Sequence, residues 1–475
     1  MSKTPIVAAV LNLLFLVSAT GQTEPDLIGF TDARFDEHSE LAMRIWNLAE
    51  LGYLEEKSSA LLQSTLAEAG FDLETGIAGI PTAFVASAGS GGPVIAFLAE
   101  YDALPGITQT ASPVREEVPG QAGSHACGHN LLGTASVGAA IAVKHWLEQT
   151  GSEGTVRLYG TPAEEGGSGK VYMARKGLFD DVDAMLTWHP DDESRVHNNS
   201  SLANRSAKFR FHGISAHAAA APEKARSALD AVEAFNFMIN LMREHVPQET
   251  RIHYVITVGG HAPNVVPDFA EVYYYVRHPD TRMLLQIWER VEAAARAAAM
   301  GTGTTMEREI IHGNHALLSN GVLAEVMQKN LEKVGGISYN AEEKKFAETI
   351  HSTLDQPQNA LGSEATILPI KLENTSGSTD VGDISWNVPT VGLSAATWVP
   401  GTGAHTWQAV AASGTSIGVK GVQVAAKTLA LTAADLYADP ALLARAKQEF
   451  QEKRGNDFVY EPLLGDREPP LDYRK

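Results

Sequence analysis

Cysteine is nearly absent: Cys127 is the only one among 475 residues. An intramolecular disulfide is therefore excluded, and the thiol must be buried filler, a nucleophile or a metal ligand. Positive charge is scarce too. Lys and Arg number 37 against 57 Asp and Glu, a formal charge of −20. That balance argues against a nucleic-acid partner, which needs a basic face, and suits an anionic membrane surface poorly. It does not exclude a local basic pocket for an anionic substrate. Beyond residue 25 no apolar run is long enough to span a bilayer. Internal repeats and low-complexity tracts are also missing, which sets aside repeat architectures.

What is present is an ordinary globular composition, 44% hydrophobic and 20% charged, with length for two or three domains. Residues 1–22 differ from the rest. Lys3 precedes the apolar run Ile6 to Val17, broken only by Asn12, and Ser18, Ala19, Thr20 and Gly21 follow. This pattern is that of a secretory signal peptide cut between Ala19 and Gln22, and it predicts a secreted or periplasmic protein with no membrane contact in its mature form. A membrane anchor or an apolar N-terminal helix is the competing reading.

Hydrophobic periodicity predicts two helices between Asp36 and Gly70, joined near Gly52. Strands are predicted at Thr82 to Ala86, Val94 to Leu98, Thr155 to Tyr159 and Ala184 to Trp188, with an Ala-rich helix from Leu131 to Leu147. The middle of the chain changes character. Candidate strands Ala207 to Phe211, Arg251 to Val258, Glu271 to Val276 and Thr304 to Ile310 alternate with helical stretches Arg226 to His245 and Asp280 to Ala299. Two strand–helix–strand units in succession resemble a ferredoxin-like arrangement. A helix from Asn320 to Val334, a strand at Thr390 to Leu393 and a helix from Gly418 to Leu436 return to the first pattern. The expected fold is α/β: a three-layer catalytic domain with a mixed sheet, interrupted by a smaller α+β ferredoxin-like lid or dimerisation domain. The boundaries are 23–205 and 316–475 for the two catalytic parts and 206–315 for the insert. From Gln448 onward the charged, Pro-rich tail is read as an extended surface segment.

Ligands in open α/β sheets gather at the carboxyl ends of strands, and several polar clusters fall there. They are Cys127-Gly128-His129 before a helix, Glu164-Glu165 in Thr161-Pro162-Ala163-Glu164-Glu165-Gly166-Gly167, His189-Pro190, and His405 in Gly401-Thr402-Gly403-Ala404-His405. One Cys, one Glu and three His make a shell with donors enough for two ions, and Cys-x-His suits zinc. Two adjacent glutamates divide naturally into a ligand and a proton acceptor for activated water. Taken singly, each of these residues has a plain alternative: a solvated loop pair for the glutamates, a structural ring for each histidine.

The ordered motifs His125-Ala126-Cys127-Gly128-His129-Asn130, TPAEEGG, TWHP, GISAHAAAAP, GGHAPNVVPD, GSTDVGD and GAHTWQ resemble the aminoacylase and carboxypeptidase-G family of metallopeptidases. The branch is the amidohydrolase one, which holds auxin-conjugate and aminobenzoyl-glutamate hydrolases. The resemblance runs from about residue 30 to the end. It implies Cys127, His129, Glu165, His189 and His405 as ligands of two divalent ions, zinc or manganese, with Glu164 as general base and acid. His217 in the insert resembles an oxyanion-stabilising histidine that reaches across a dimer interface, and Asn264 a lid residue touching substrate. Arg277 resembles an arginine pairing with the substrate carboxylate. Asp102 resembles a group orienting a metal-bound histidine. Most of the wider family carries Asp where this chain has Asn130, a departure shared with the aminobenzoyl-glutamate branch.

The expected function is metal-dependent hydrolysis of N-acyl or N-aroyl amino acid amides, aminobenzoyl-glutamate-like or dipeptide-like, bearing a free carboxylate. The implied assembly is a homodimer, with room for a related partner subunit and no nucleic acid. Two readings compete: a cysteine hydrolase using a Cys127/His129 dyad, and a non-catalytic binding protein on the same fold.

Overall fold

The computed structural model describes residues 25–375 and 377–474, so the 1–22 leader lies outside the described residues. A seven-stranded mixed sheet forms the larger body, and a separate four-stranded sheet forms the insert. At the centre of the large sheet, Gly154–Gly160, Val94–Ala99, Ala184–Asp191 and Thr390–Ala396 run parallel in that spatial order. Antiparallel strands Phe84–Ser90 and Asp72–Thr75 extend one side and Arg195–His197 the other.

Val94–Ala99 reads Val-Ile-Ala-Phe-Leu-Ala and is buried along nearly its whole length. A parallel strand covered on both faces needs such a continuous apolar run. The long helices His129–Thr150 and Ser416–Ala438 pack together over one face. Both are rich in Ala, Gly and Thr, which lets their backbones approach closely. The short helices Gly169–Arg175 and Val381–Ser385 cover the opposite face.

The insert follows βαββαβ order, with helices Ala228–Met242 and Thr281–Thr302 against one face of its sheet. Its spatial strand order is Arg251–Val258, Phe269–His278, Ala203–His212, Thr305–Asn314, all antiparallel. Phe209, Phe235, Tyr274 and Trp288 form its centre, each contributing roughly 1.5–3 kcal/mol by burial. The first strand begins at Ala203 rather than Ala207, because the ladder continues until Ala203 faces His278.

Two other expectations need correction. The strand predicted at Thr82 to Ala86 is Phe84–Ser90. The Thr82 carbonyl is taken by Ser59 and Tyr101 hydroxyls, and the ladder instead runs on through Gly89. The tail is not a surface segment. A helix runs Pro440–Arg454, after which Leu463 and Leu464 are buried and Arg467 donates to the Ile310 and Ile311 carbonyls of the insert. No helix among the described residues is long and apolar enough to cross a membrane.

His38 lies between the helices Phe35–Leu48 and His129–Thr150, against Gly138, where a Cβ would come within 2.6 Å of its ring. Burial, and secondarily the charge of Arg34, pull His38 down to about 4. The native ring is therefore neutral where the unfolded chain's ring begins to protonate. Between pH 6.5 and 4 the unfolded state binds more protons, so stability falls as pH falls, by up to about 3 kcal/mol from this group. His38→Gln should lessen the pH dependence of the denaturant midpoint across that interval, leaving the share of His125, His197 and His312, which burial also pulls down to about 4. An unchanged slope would show that His38 does not drive it.

Candidate metal centre

Each parallel strand delivers part of the centre from its carboxyl end. Glu100 and Asp102 follow Val94–Ala99, Glu164 and Glu165 follow Gly154–Gly160, and the loop bearing His405 follows Thr390–Ala396. His189 lies within its strand, opposite Ser394, and not after it as the apolar run alone suggested. Cys127 and His129 flank Gly128 at the start of the long helix. Gly128 has φ 72°, and a Cβ there would stand 2.7 Å from Pro190. Only glycine permits this left-handed turn under that proline, and the turn is what lets both side chains face one point.

The donor atoms form overlapping groups. Those of Cys127, His129 and His189 lie within 4.8 Å of one another, and so do those of Cys127, Glu165 and His405. Cys127 belongs to both. Its Sγ is 3.4 Å from His189 Nε2, and His405 Nε2 is 3.4 Å from Glu165 Oε1. Donors about 2.0–2.3 Å from a tetrahedral ion stand roughly 3.3–3.8 Å apart, so these spacings suit metal ligation. The buried His129 Nε2 and Glu165 Oε1 have no hydrogen-bond partner, as expected of atoms reserved for an ion. The donor set of thiolate, imidazole and carboxylate thus fits two divalent ions.

Supporting contacts orient these ligands. His129 Nδ1 is 2.9 Å from Asp102 Oδ1, and Asp102 Oδ2 accepts the Glu165 N–H at 2.9 Å. His189 Nδ1 donates to the Pro190 carbonyl at 2.7 Å, which turns Nε2 toward Cys127. His405 N–H donates to Ala126 O at 2.9 Å, tying two ligand loops together. The Glu164-Glu165 loop is held by Glu55, which accepts the Ala163 N–H at 2.8 Å, and by the tail. Tyr473 and Arg474 donate to the Glu165 carbonyl at 3.2 and 2.7 Å. Ala163, Ser168 and His405 all have positive φ, so part of the backbone strain lies at the site.

Electrostatics favour an added cation. Burial, then the neighbouring Glu165, push the Cys127 thiol well up, so the thiolate forms only with positive charge beside it. Burial and the carboxylates of Glu100 and Glu165 push Glu164 far above the usual range. Burial would lower His129, but Asp102 overrides it and the ring is raised: the pocket recruits charge even as a proton. A thiol held protonated, with His189 as its 3.4 Å neighbour, weakens the cysteine-nucleophile alternative.

Glu164, Glu165, Cys127, His189 and His405 line a cavity of about 370 Å³. Its further wall includes His197, Asn199, Ser378 and Thr379 beside apolar Leu317 and Val391. His217, Asn264 and Arg277 do not belong to that wall. His217 and Asn264 are exposed neighbours on the insert, where Ala218 N–H donates to the Asn264 carbonyl at 3.0 Å. The Ala219 and Ala220 amides both donate to His217 Nδ1, each at 3.2 Å, which leaves Nε2 free. Arg277 is half-buried, its guanidinium over the Tyr275 ring at 5.5 Å. Asn130 is fully buried, and its amide donates to the Ala42 and Ser413 carbonyls. An aspartate has no proton to give either carbonyl, which explains the departure from the wider family.

The sequence reading missed Glu100, Lys170 and Asp380. Lys170 Nζ lies 2.8 Å from Glu100 and 2.7 Å from Asp380, with all three buried. The signal for them was Glu100 two residues before Asp102 at a strand end, and Asp380 inside the GSTDVGD motif.

Residues 96–431 match the model of peptidase family M20/M25/M40. The chain belongs to this family. It is an amide-bond hydrolase of the metallopeptidase class. It is 42% identical over 449 residues to the B subunit of p-aminobenzoyl-glutamate hydrolase from Escherichia coli (strain K12), covering 89% of this chain and 93% of that one. It is 31% identical over 444 residues to Xaa-Arg dipeptidase of Mus musculus, covering 88% and 91%. Its fold matches a dinuclear metal binding peptidase from the same family in Bacillus subtilis. That match has a TM-score of 0.60 at 17% identity and covers 86% of this chain and 99% of the other.

Proposed function

We propose that this chain cleaves the amide between an acyl or aroyl group and an amino acid with a free carboxylate, using Cys127, His129, Glu165, His189 and His405 to hold two divalent ions. The observation that carries this reading is Cys127's membership of both donor groups, with Glu164 beside them on the cavity wall. Zinc suits a thiolate and imidazole set, and manganese is the alternative. Such ions supply Lewis acidity to the scissile carbonyl and acidity to a water. Glu164 takes the proton of the attacking water and returns it to the leaving amine. Burial and the carboxylates of Glu100 and Glu165 raise this carboxyl, which makes its ionised form a stronger proton acceptor once cations beside it hold it ionised. Glu165 keeps its ligand oxygen aimed by the Asp102 and tail contacts. The 42% relative's name favours an aroyl–glutamate substrate, and the dipeptidase's name a dipeptide.

The test is a screen of N-acyl, N-aroyl and dipeptide amides on metal-loaded protein, with the released amino acid identified. Glu164→Gln should keep both ions and lose at least about 10²–10⁴-fold in kcat. Unchanged turnover with metal bound would overturn the assignment.

His217, Asn264 and Arg277 enter the reading through a homodimer. The insert ends in the edge strand Arg251–Val258, whose Tyr254, Val255 and Ile256 are exposed, as are Phe237 and Leu241 on the adjoining helix. Such an edge is a template for pairing with another chain. A second copy there would offer His217 Nε2 to stabilise the developing oxyanion and Asn264 to touch substrate, while Arg277 pairs with its carboxylate. Val255→Lys should give monomers by sedimentation and abolish turnover while leaving the metal content intact. A fully active monomer would sink this arrangement. The 42% relative is named as one subunit of its hydrolase, which makes a related partner chain the other occupant of this edge.

Export rests on Lys3 and the run Ile6 to Val17. Protein recovered outside the cytoplasm should begin between Ala19 and Gln22 on N-terminal sequencing, and an uncut cytoplasmic chain would refute export.

A further inference from the structure

We propose that Glu100 is an additional metal ligand, closing the ion site of Cys127, His129 and His189 and leaving the site of Cys127, Glu165 and His405 as the open one. This rests on the metal-centre reading above and goes beyond its five ligands.

Glu100 follows directly on the central strand Val94–Ala99 and is 3% exposed. Its two oxygens have separate duties. Oε1 lies 2.8 Å from Lys170 Nζ, and that ammonium is fixed in turn by Asp380 Oδ1 at 2.7 Å. Asp380 Oδ2 accepts the Lys170 backbone N–H at 3.0 Å, so the lysine is gripped at both ends. The carboxylate is therefore held by one oxygen, and the other is free to act.

That other oxygen, Oε2, stands 3.2 Å from His129 Nε2. His129 Nδ1 faces Asp102 Oδ1 at 2.9 Å, which aims Nε2 at Glu100. Nε2 makes no hydrogen bond in this fully buried place despite the short distance. A cation seated between the two atoms would take one donor from each. The 3.2 Å separation matches the other donor pairs, both at 3.4 Å. Glu100 also forms a donor group within 4.8 Å with His129 and Glu164, and it reaches the wall of the cavity.

The consequence is asymmetry. Cys127, His129, His189 and Glu100 supply four protein donors, the number of a closed tetrahedral site. Cys127, Glu165 and His405 supply three, which leaves a position for water or substrate. The thiolate with Glu100 and Glu165 brings three negative charges toward the four positive charges of two divalent ions. Lys170 offsets part of the remaining acidic charge behind them.

The experiment measures ion stoichiometry and affinity by elemental analysis after equilibration with graded chelator, using the full chain loaded with zinc. The wild-type chain should hold two ions. Glu100→Gln should hold one ion with unchanged affinity and the other at least tenfold more weakly. Glu100→His, which replaces one donor by another but cannot balance the Lys170 charge, should recover much of the lost affinity. Two ions held at wild-type affinity by a folded Glu100→Gln chain would overturn the proposal. So would a Glu100→His chain that binds no better than Glu100→Gln, because Glu100 would then act only as a counter-charge to Lys170. Should Glu100→Gln fail to fold, the Glu100→His chain decides alone: two tight ions support the ligand role and one refutes it. If the wild-type chain itself binds no ion, it is the metal-centre reading that fails.

Discussion

The Asp102 carboxylate joins the two halves of the centre. One oxygen faces His129 Nδ1 and the other receives the Glu165 N–H, both at 2.9 Å. A member of one donor group and the backbone of a member of the other are thus set by one buried side chain, which lies below the usual carboxylate range. Burial alone would raise it, and the His129 ring beside it more than compensates. The placement follows from the sheet. Asp102 follows a central strand that is buried along nearly its whole length, and is itself buried.

Several loops that carry the donors have irregular backbone. Gly128 turns under Pro190, Ala163 and Ser168 bracket the glutamate loop with positive φ, and His405 adopts the same unfavourable region. Strain at a non-glycine residue of this kind costs of order 1–3 kcal/mol if not supported, and each lies next to a regular element or a fixing hydrogen bond. The tail belongs to that support. Tyr473 and Arg474 arrive from the far end of the chain to hold the Glu165 carbonyl.

Much of the fold was legible from apolar runs. Val94 to Leu98 and Ala184 to Trp188 are strands because fully buried parallel strands need uninterrupted apolar residues. The helices and the four strands of the insert were legible as a change of character in the middle of the chain. Boundaries shifted where pairing, not composition, sets the end, as at Ala203 and at His189, which stays in its strand because Ser394 faces it. The tail was misread because Leu463 and Leu464 are few among charged neighbours. Their burial depends on a surface made by distant parts of the chain.

By itself the sequence determined the α/β architecture with its inserted domain, and its ordered motifs pointed to a metal-dependent amide hydrolase. Those properties are local: periodicity, turn residues, and chemistry-bearing side chains at strand ends. Only the tertiary structure decided that Cys127 is shared by two donor groups, that His217 and Asn264 stand apart from them, and that Lys170 separates the two oxygens of Glu100. Charged residues in a sequence read as surface, since an isolated buried charge is costly. Glu100, Lys170 and Asp380 can sink into the core only together. Their partnership spans 280 residues of chain, from position 100 to position 380, and exists only once the strand end bearing Glu100 meets the short helices Gly169–Arg175 and Val381–Ser385.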